Sequence, residues 1–247
     1  MTPAEAALLA GGGLVAGVVN TLAGGGSLVS VPLLVLLGLP GSLANGTNRV
    51  GVLCQSAIAS WRFGAEGVPG LRRSLPVLLP VVAGSLLGAW GVAQLPDESF
   101  ERAFGFVMLL LVLPTLRASV ATGAARAPRP WPRWISLPLF FAIGLYGGSF
   151  QAGVGLVLVA ALSHAGFGLL EANSVKVVVN TALTFVAVPV FVLAGQVSWP
   201  FAGVLAAGFG AGGALGARLA VRGGDRLLRP VLAIAVVALA GRMLGLY

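Results

Sequence analysis

The 247-residue chain holds one cysteine, Cys54, one histidine, His164, and one lysine, Lys176. A lone cysteine excludes a disulfide within the chain and a cysteine metal cluster. A lone histidine excludes a two-histidine metal site. Acidic residues number only 7, and no pair of them falls inside an apolar run, which removes the paired carboxylates of general acid–base catalysis. The patterns H-E-x-x-H, G-x-S-x-G and G-x-x-x-x-G-K-[ST] are absent, and with them the chemistries they mark. No basic stretch is interleaved with aromatics, so the formal charge of +8 does not point to nucleic acid. The chain reads as a non-enzyme without metal or cofactor.

Charge itself is scarce, at 9% of residues against about 25% in a soluble domain. Hydrophobic residues make up 57% and the mean hydropathy is +0.99. Trp134 to Leu170 and Val177 to Ala217 carry no charge, and about 20 apolar residues suffice to cross a bilayer. Only helices and closed barrels satisfy their backbone in lipid. Barrel strands alternate apolar and polar residues and this chain does not, so the reading is an all-α, polytopic membrane protein whose first partner is the lipid bilayer. No basic region precedes the first apolar run, where the first charged side chain is Glu5. Residues 4–22 are therefore expected to be mature protein and not a signal peptide.

What the chain has in abundance is glycine, 37 residues, and the glycines repeat. Sliding the sequence by 128 positions places Gly25 on Gly153, Gly38 on Gly166, Ala44-Asn45 on Ala172-Asn173, Phe63 on Phe191, Gly67 on Gly195 and Gly88-Ala89 on Gly216-Ala217. Two related halves are expected, 1–117 and 134–247, joined by a Pro- and Arg-rich linker at 118–133. Apolar segments are read at 4–22, 27–38, 43–63, 74–95 and 101–117. Their counterparts are 134–149, 153–166, 172–194, 199–221 and 227–246. Segments 27–38 and 153–166 would span only about 18–21 Å, short of the roughly 30 Å core. Each half is thus expected to hold a broken or re-entrant short-helix hairpin plus three transmembrane helices. Matched short segments interrupted by glycine point to a transport site.

The loop charges order the halves. Arg62, Arg72 and Arg73 follow the 43–63 segment. Arg117, Arg126, Arg129 and Arg133 flank or occupy the linker, and Arg218, Arg222, Arg226 and Arg229 follow the 199–221 segment. Asp97, Glu98 and Glu101 outweigh Arg102 in the intervening loop, and 195–199 is uncharged. With the arginine-rich loops in the cytoplasm, every equivalent helix flips. That predicts an inverted-topology repeat with both termini extracytoplasmic and the linker cytoplasmic.

Two constellations carry the candidate chemistry. The first is the pair of bends: Asn20, Gly24, Gly25, Gly26 and Ser27, with Ser149, Gln151 and Gly153 opposite. Free N–H groups at a helix start with close-approach glycines form an anion site. Valine at Gly25 or Gly153 is expected to block it. Close helix packing alone is the competing reading of these glycines, and is the preferred one for the pairs Gly13/Gly17, Gly84/Gly88, Gly144/Gly148 and Gly212/Gly216. The second constellation opens the next span of each half: Asn45, Thr47, Asn48 and Arg49, then Asn173, Lys176 and Asn180. A cation early in an apolar span usually faces a cavity; snorkelling to the interface is the alternative.

The stretches G-V-V-N-T-L-A-G-G-G-S-L-V-S-V-P-L-L (17–34), L-P-G-S-L-A-N-G-T-N (39–48), G-L-Y-G-G-S-F-Q-A-G-V-G (144–155), E-A-N-S-V-K-V-V-V-N (171–180) and F-V-L-A-G-Q-V-S-W (191–199) resemble the TauE/SafE family of sulfite-exporter-like membrane proteins. The resemblance implies a bacterial-type inner-membrane transporter of sulfur oxyanions or organosulfur anions, with Asn20, Gly24, Gly25, Gly26, Gly153, Asn173 and Lys176 as pattern positions. The expected activity is export of sulfite or a sulfonate by alternating access, driven by a proton or sodium gradient or by the membrane potential. Uptake, a channel mode, or a non-transporting subunit that anchors an enzyme are the alternatives. The anion would sit between the two bends, neutralised by helix N-termini and by Arg49 or Lys176.

Overall fold

Lipid offers no hydrogen bonds to a free backbone, and the described residues answer that constraint with helices alone; no strand occurs among them. The structure, a computed structural model, describes residues 1–68, 70–104, 106 and 132–243. The elements are α1 (Pro3–Leu22), α2 (Ser27–Leu36), α3 (Gly41–Ala65), α4 (Leu71–Ala93), α5 (Arg133–Ser149), α6 (Val154–His164), α7 (Leu169–Leu193) and α8 (Trp199–Met243). Residues 97–104 are also helical. Helix α1 starts at a capping box. The Thr2 hydroxyl accepts from Glu5 N at 3.2 Å while Thr2 N donates to the Glu5 carboxylate at 2.7 Å, and Pro3 sets the first turn.

The 128-residue offset holds for the helices. Helices α3 and α7 are both 25 residues long, and their bounds, Gly41–Ala65 and Leu169–Leu193, correspond at both ends. The glycines that stop matched helices, Gly38 with Gly166 and Gly67 with Gly195, have φ between +70° and +103°, a backbone that residues with a Cβ rarely adopt. Segment 199–221 was expected to stop before a separate one at 227–246. The structure agrees: within α8 the backbone at Gly224 (φ 50°, ψ −149°) is non-helical and divides it into two helices, Trp199 to Gly223 and Asp225 to Met243. Most of the expected span 101–117 and of the linker 118–133 lies outside the described residues, so the proposed division into halves rests on the elements either side of it.

Packing crosses between the halves. Helix α1 lies along α8, with Gly13 against Leu205 and Gly208 and Gly17 against Phe209 and Gly212. Its counterpart α5 lies along α4, with Gly144 against Val81 and Gly148 against Ser85. All four small-residue pairs read from the sequence sit in these two seams, where a missing side chain lets backbones approach. Within each seam the residue numbers rise together, so the helices run parallel. Helices α3 and α7 run antiparallel. The start of α3 meets the end of α7, with Gly46 beside Phe191 and Gln196, and the end of α3 meets the start of α7, where Ser174 donates to Val68 O and Gly70 meets Ser174 and Val175. Equivalent helices with opposite directions are the arrangement an inverted repeat requires.

Among the described residues four helices are long and apolar enough to cross a membrane: Pro3–Leu22, Leu71–Ala93, Leu169–Leu193 and Trp199–Gly224. Helix α1 is full length at 20 residues, whereas α2 and α6, at 10 and 11 residues, span only about 15–17 Å. Helix α3 is as long as α7 but too polar to join the four, because its buried residues include Asn45, Thr47, Asn48, Arg49, Gln55 and Ser56. The directions of the helices put Arg62, Arg72, Arg73, Arg133, Arg218 and Arg222 at one end of the bundle. Exposed tryptophans mark both ends, Trp61 and Trp134 at the arginine-rich one and Trp90 and Trp199 at the other, as in membrane-interface belts. Leu36, Leu79 and Leu193, among the most exposed apolar side chains, face outward where lipid would lie.

Candidate functional site

Helices α1 and α5 end inside the protein, and a buried helix end has orphaned carbonyls. For α1 the accounting closes. Asn20 O and Thr21 O accept from Lys176 Nζ at 3.0 and 2.7 Å, and Leu22 O accepts from Asn173 Nδ2 at 3.4 Å. The other half repeats the device. Gly147 O accepts from Arg49 Nη1 at 3.0 Å and Ser149 O from Asn45 Nδ2 at 3.0 Å. A cation suits the negative end of a helix dipole. Each cation comes from the opposite half, so α3 serves α5 and α7 serves α1. Arg49 and Lys176 are both 0% exposed, which removes the snorkelling reading of either.

Arg49 differs from Lys176 in what it leaves over. Its Nη1 also donates to Gln151 Oε1 at 3.2 Å, and its Cζ lies 4.5 Å from the Phe191 ring centre. Its Nε and Nη2 are buried without a partner. No carboxylate pairs with either buried cation among the described residues, where the ion pairs are Arg73–Glu171 and Arg102–Glu98. Gln151 Nε2 approaches Asn180 Oδ1 at 3.4 Å. Gln151 is also the one non-glycine with positive φ, 61°, among the described residues, and such backbone is held only where its surroundings impose it.

The neutral donors around the first bend bond one another. Asn20 Nδ2 donates to Gln55 Oε1 at 2.6 Å, Gly26 N donates to Asn20 Oδ1 at 3.2 Å, and Gln55 Nε2 donates to Thr21 Oγ1 at 2.6 Å. Asn48 Nδ2 donates to Ser27 Oγ at 3.0 Å and Asn48 Oδ1 accepts from Ser30 Oγ at 2.5 Å. The network locks the hairpin α1–α2 to α3. Two of the sequence-derived residues serve elsewhere: Thr47 Oγ1 accepts from Ser198 N at 2.9 Å, and the Ser149 hydroxyl donates to Gly88 O at 3.1 Å.

The bends meet at their backbones, Gly24 lying against Gly155 and Leu156. They are not copies. Gly24 takes φ +90° in the first, and Gln151 and Gly153 take +61° and +71° in the second. A Cβ on Gly25 would touch only Leu28 Cδ1, at 3.4 Å. A Cβ at Gly25 therefore meets little resistance, whereas at Gly24 and Gly26, which the sequence also places in this bend, it would run into main chain. Gln55 and Ser30 were missed by the sequence reading. Their signal was present as uncharged polar residues one helical repeat from others, Ser30 three after Ser27 and Gln55 seven after Asn48, on the same faces.

A family model described as "Sulfite exporter TauE/SafE" matches residues 9–243. A "Probable membrane transporter protein ORF9" of Sinorhizobium sp is 28% identical over 232 residues, 94% of this chain and 89% of that protein. A "Probable membrane transporter protein" of Haemophilus influenzae is also 28% identical, over 94% of this chain and 91% of its own. "Probable membrane transporter protein YfcA" of Escherichia coli K12 is 24% identical, over 94% and 86%. No solved structure matches the chain.

Proposed function

The chain belongs to the sulfite exporter TauE/SafE family and is an integral membrane transporter of that family; on that premise we propose that it exports small sulfur-containing anions, sulfite or an organosulfonate, across the cytoplasmic membrane by alternating access. One observation carries the reading. Arg49 and Lys176 are fully buried beside the two hairpin tips, with no carboxylate ion pair to either among the described residues. Buried cations are costly unless compensated, and helix-end carbonyls supply only partial negative charge. An anionic cargo supplies the rest, and does so only while bound. The antiparallel pair α3 and α7 lets the two halves rock about the touching bends, opening the site to either side in turn.

An inside-negative potential assists outward movement of a monoanion by about 2.3 kcal/mol per 100 mV; a proton or sodium gradient is the other available source. Proteoliposomes of the purified protein, loaded with sulfite, sulfoacetate or thiosulfate, are expected to release at least one of them faster than empty liposomes do, and faster still with a potential negative on the loaded side. Absence of flux for every anion would favour a non-transporting subunit that anchors an enzyme over a transporter.

The orientation is tested separately. Ala65 and Ala194, both exposed, lie at opposite ends of the bundle, where α3 and α7 end. With Cys54 replaced by serine, Ala65→Cys is expected to label only from the cytoplasm and Ala194→Cys only from outside. Labelling of both from one side would remove the inverted topology, and with it the placement of both termini outside.

A further inference from the structure

We infer that Arg49 is the residue that reads the cargo, and that its Nε–Nη2 edge grips two oxygens of one sulfonate-, sulfite- or carboxylate-type group side-on. The inference rests on the anion-transport reading above and narrows it: the cargo is an oxyanion with at least two oxygens on one centre, and not a spherical anion. The guanidinium is divided in use. Nη1 is held by Gly147 O and Gln151 Oε1, and the Phe191 ring lies against Cζ at 4.5 Å from its centre, which fixes the group. That leaves Nε and Nη2, which lie on the same edge and point their N–H bonds in parallel. Both are buried and unpartnered, although an unpaired buried charged donor is among the most costly groups a protein can hold. Parallel N–H bonds match two oxygens on one atom, the geometry that arginine serves and lysine does not.

The surroundings are arranged to keep that edge aimed. Gln151 adopts a left-handed backbone that non-glycine residues avoid, and its amide then bridges Arg49 on α3 to Asn180 on α7. Lys176, by contrast, is spent on Asn20 O and Thr21 O and holds a helix end. The pseudo-equivalents of Arg49 and Gln151 at the 128-residue offset are Val177 and Ala23, which carry no donor. The two halves therefore build one such edge between them, and one oxyanion is bound per chain.

The test is calorimetric titration of purified wild type, Arg49→Lys and Arg49→Gln with sulfite, methanesulfonate and chloride, in a buffer free of sulfonates. Wild type is expected to bind sulfite and methanesulfonate at least 10-fold more tightly than chloride. Arg49→Gln is expected to weaken both by about 10- to 150-fold, the loss of a charge-assisted contact. Arg49→Lys keeps the charge without the fork, so its preference for the oxyanions over chloride is expected to collapse. Unchanged preference in Arg49→Lys overturns the inference and leaves anion transport standing, as does wild type that binds chloride as well as methanesulfonate. No binding of any probe to wild type, together with no flux, overturns both. If Arg49→Lys does not fold, the wild-type preference alone decides.

Discussion

Gly24→Val is expected to abolish transport and to strip most of the folded protein from a membrane extract. Two independent effects act at this position. Its φ of +90° is a left-handed backbone that a residue with a Cβ enters at roughly 1–2 kcal/mol, and a β-branched one at more. Any Cβ there also runs into the main chain of Gly155 and Leu156 in the other hairpin. Main chain cannot swing aside as a side chain can, so overpacking adds about 1–3 kcal/mol or more. Together these approach a large share of the 5–15 kcal/mol that typically separates a folded protein from an unfolded one. Gly25→Ala, one residue on, meets only the tip of Leu28 and is expected to fold and transport. Size-exclusion profiles of detergent extracts, with thermal unfolding of what survives, compare the two. A Gly24→Val protein as abundant and stable as Gly25→Ala would show that the hairpin tips do not touch.

Lys176→Met is expected to be nearly as damaging, for a different reason. Methionine fills similar space but donates nothing, so Asn20 O and Thr21 O lose their shared donor at a depth where water does not replace it. An orphaned buried carbonyl costs about 1–3 kcal/mol, so about 2–6 kcal/mol for the pair. The same two residues carry the Asn20–Gln55–Thr21 network, and a loosened α1 end frees the hairpin from α3. Lys176→Arg restores the charge with a bulkier planar head and is expected to recover part of the stability. An unfolding temperature for Lys176→Met within a degree of wild type would mean that the ammonium does not hold the helix end. The outcome also separates the two buried cations: Lys176 variants lose stability first, and Arg49 variants lose anion selectivity first.

Some of this was legible before any coordinates. Composition alone pointed to lipid, because 57% hydrophobic and 9% charged residues leave too little polar surface for water, and the single cysteine excluded a disulfide within the chain. The repeat was legible because turn glycines recur at one offset, and the matching bounds of α3 and α7 follow it. The loop arginines were legible as one end of the bundle because charges in a membrane protein gather where the chain leaves lipid. Asn20, Asn48, Arg49, Asn173 and Lys176 stood out since polar groups in an apolar span need a reason to be there.

What tertiary structure decided is which polar group meets which. The bends were read as rows of free N–H groups awaiting an anion, yet Gly26 N is taken by Asn20 and the cations reach for carbonyls. Periodicity places a residue on a face of its own helix, but each buried cation and the helix-end carbonyls it holds are 98 to 156 residues apart in the chain. Lys176 and Arg49 look alike in sequence, each an early cation in its span; only the crossing of the halves gives one two helix-end carbonyls and leaves the other an unpaired edge. That difference is set by contacts between elements, which local sequence does not encode.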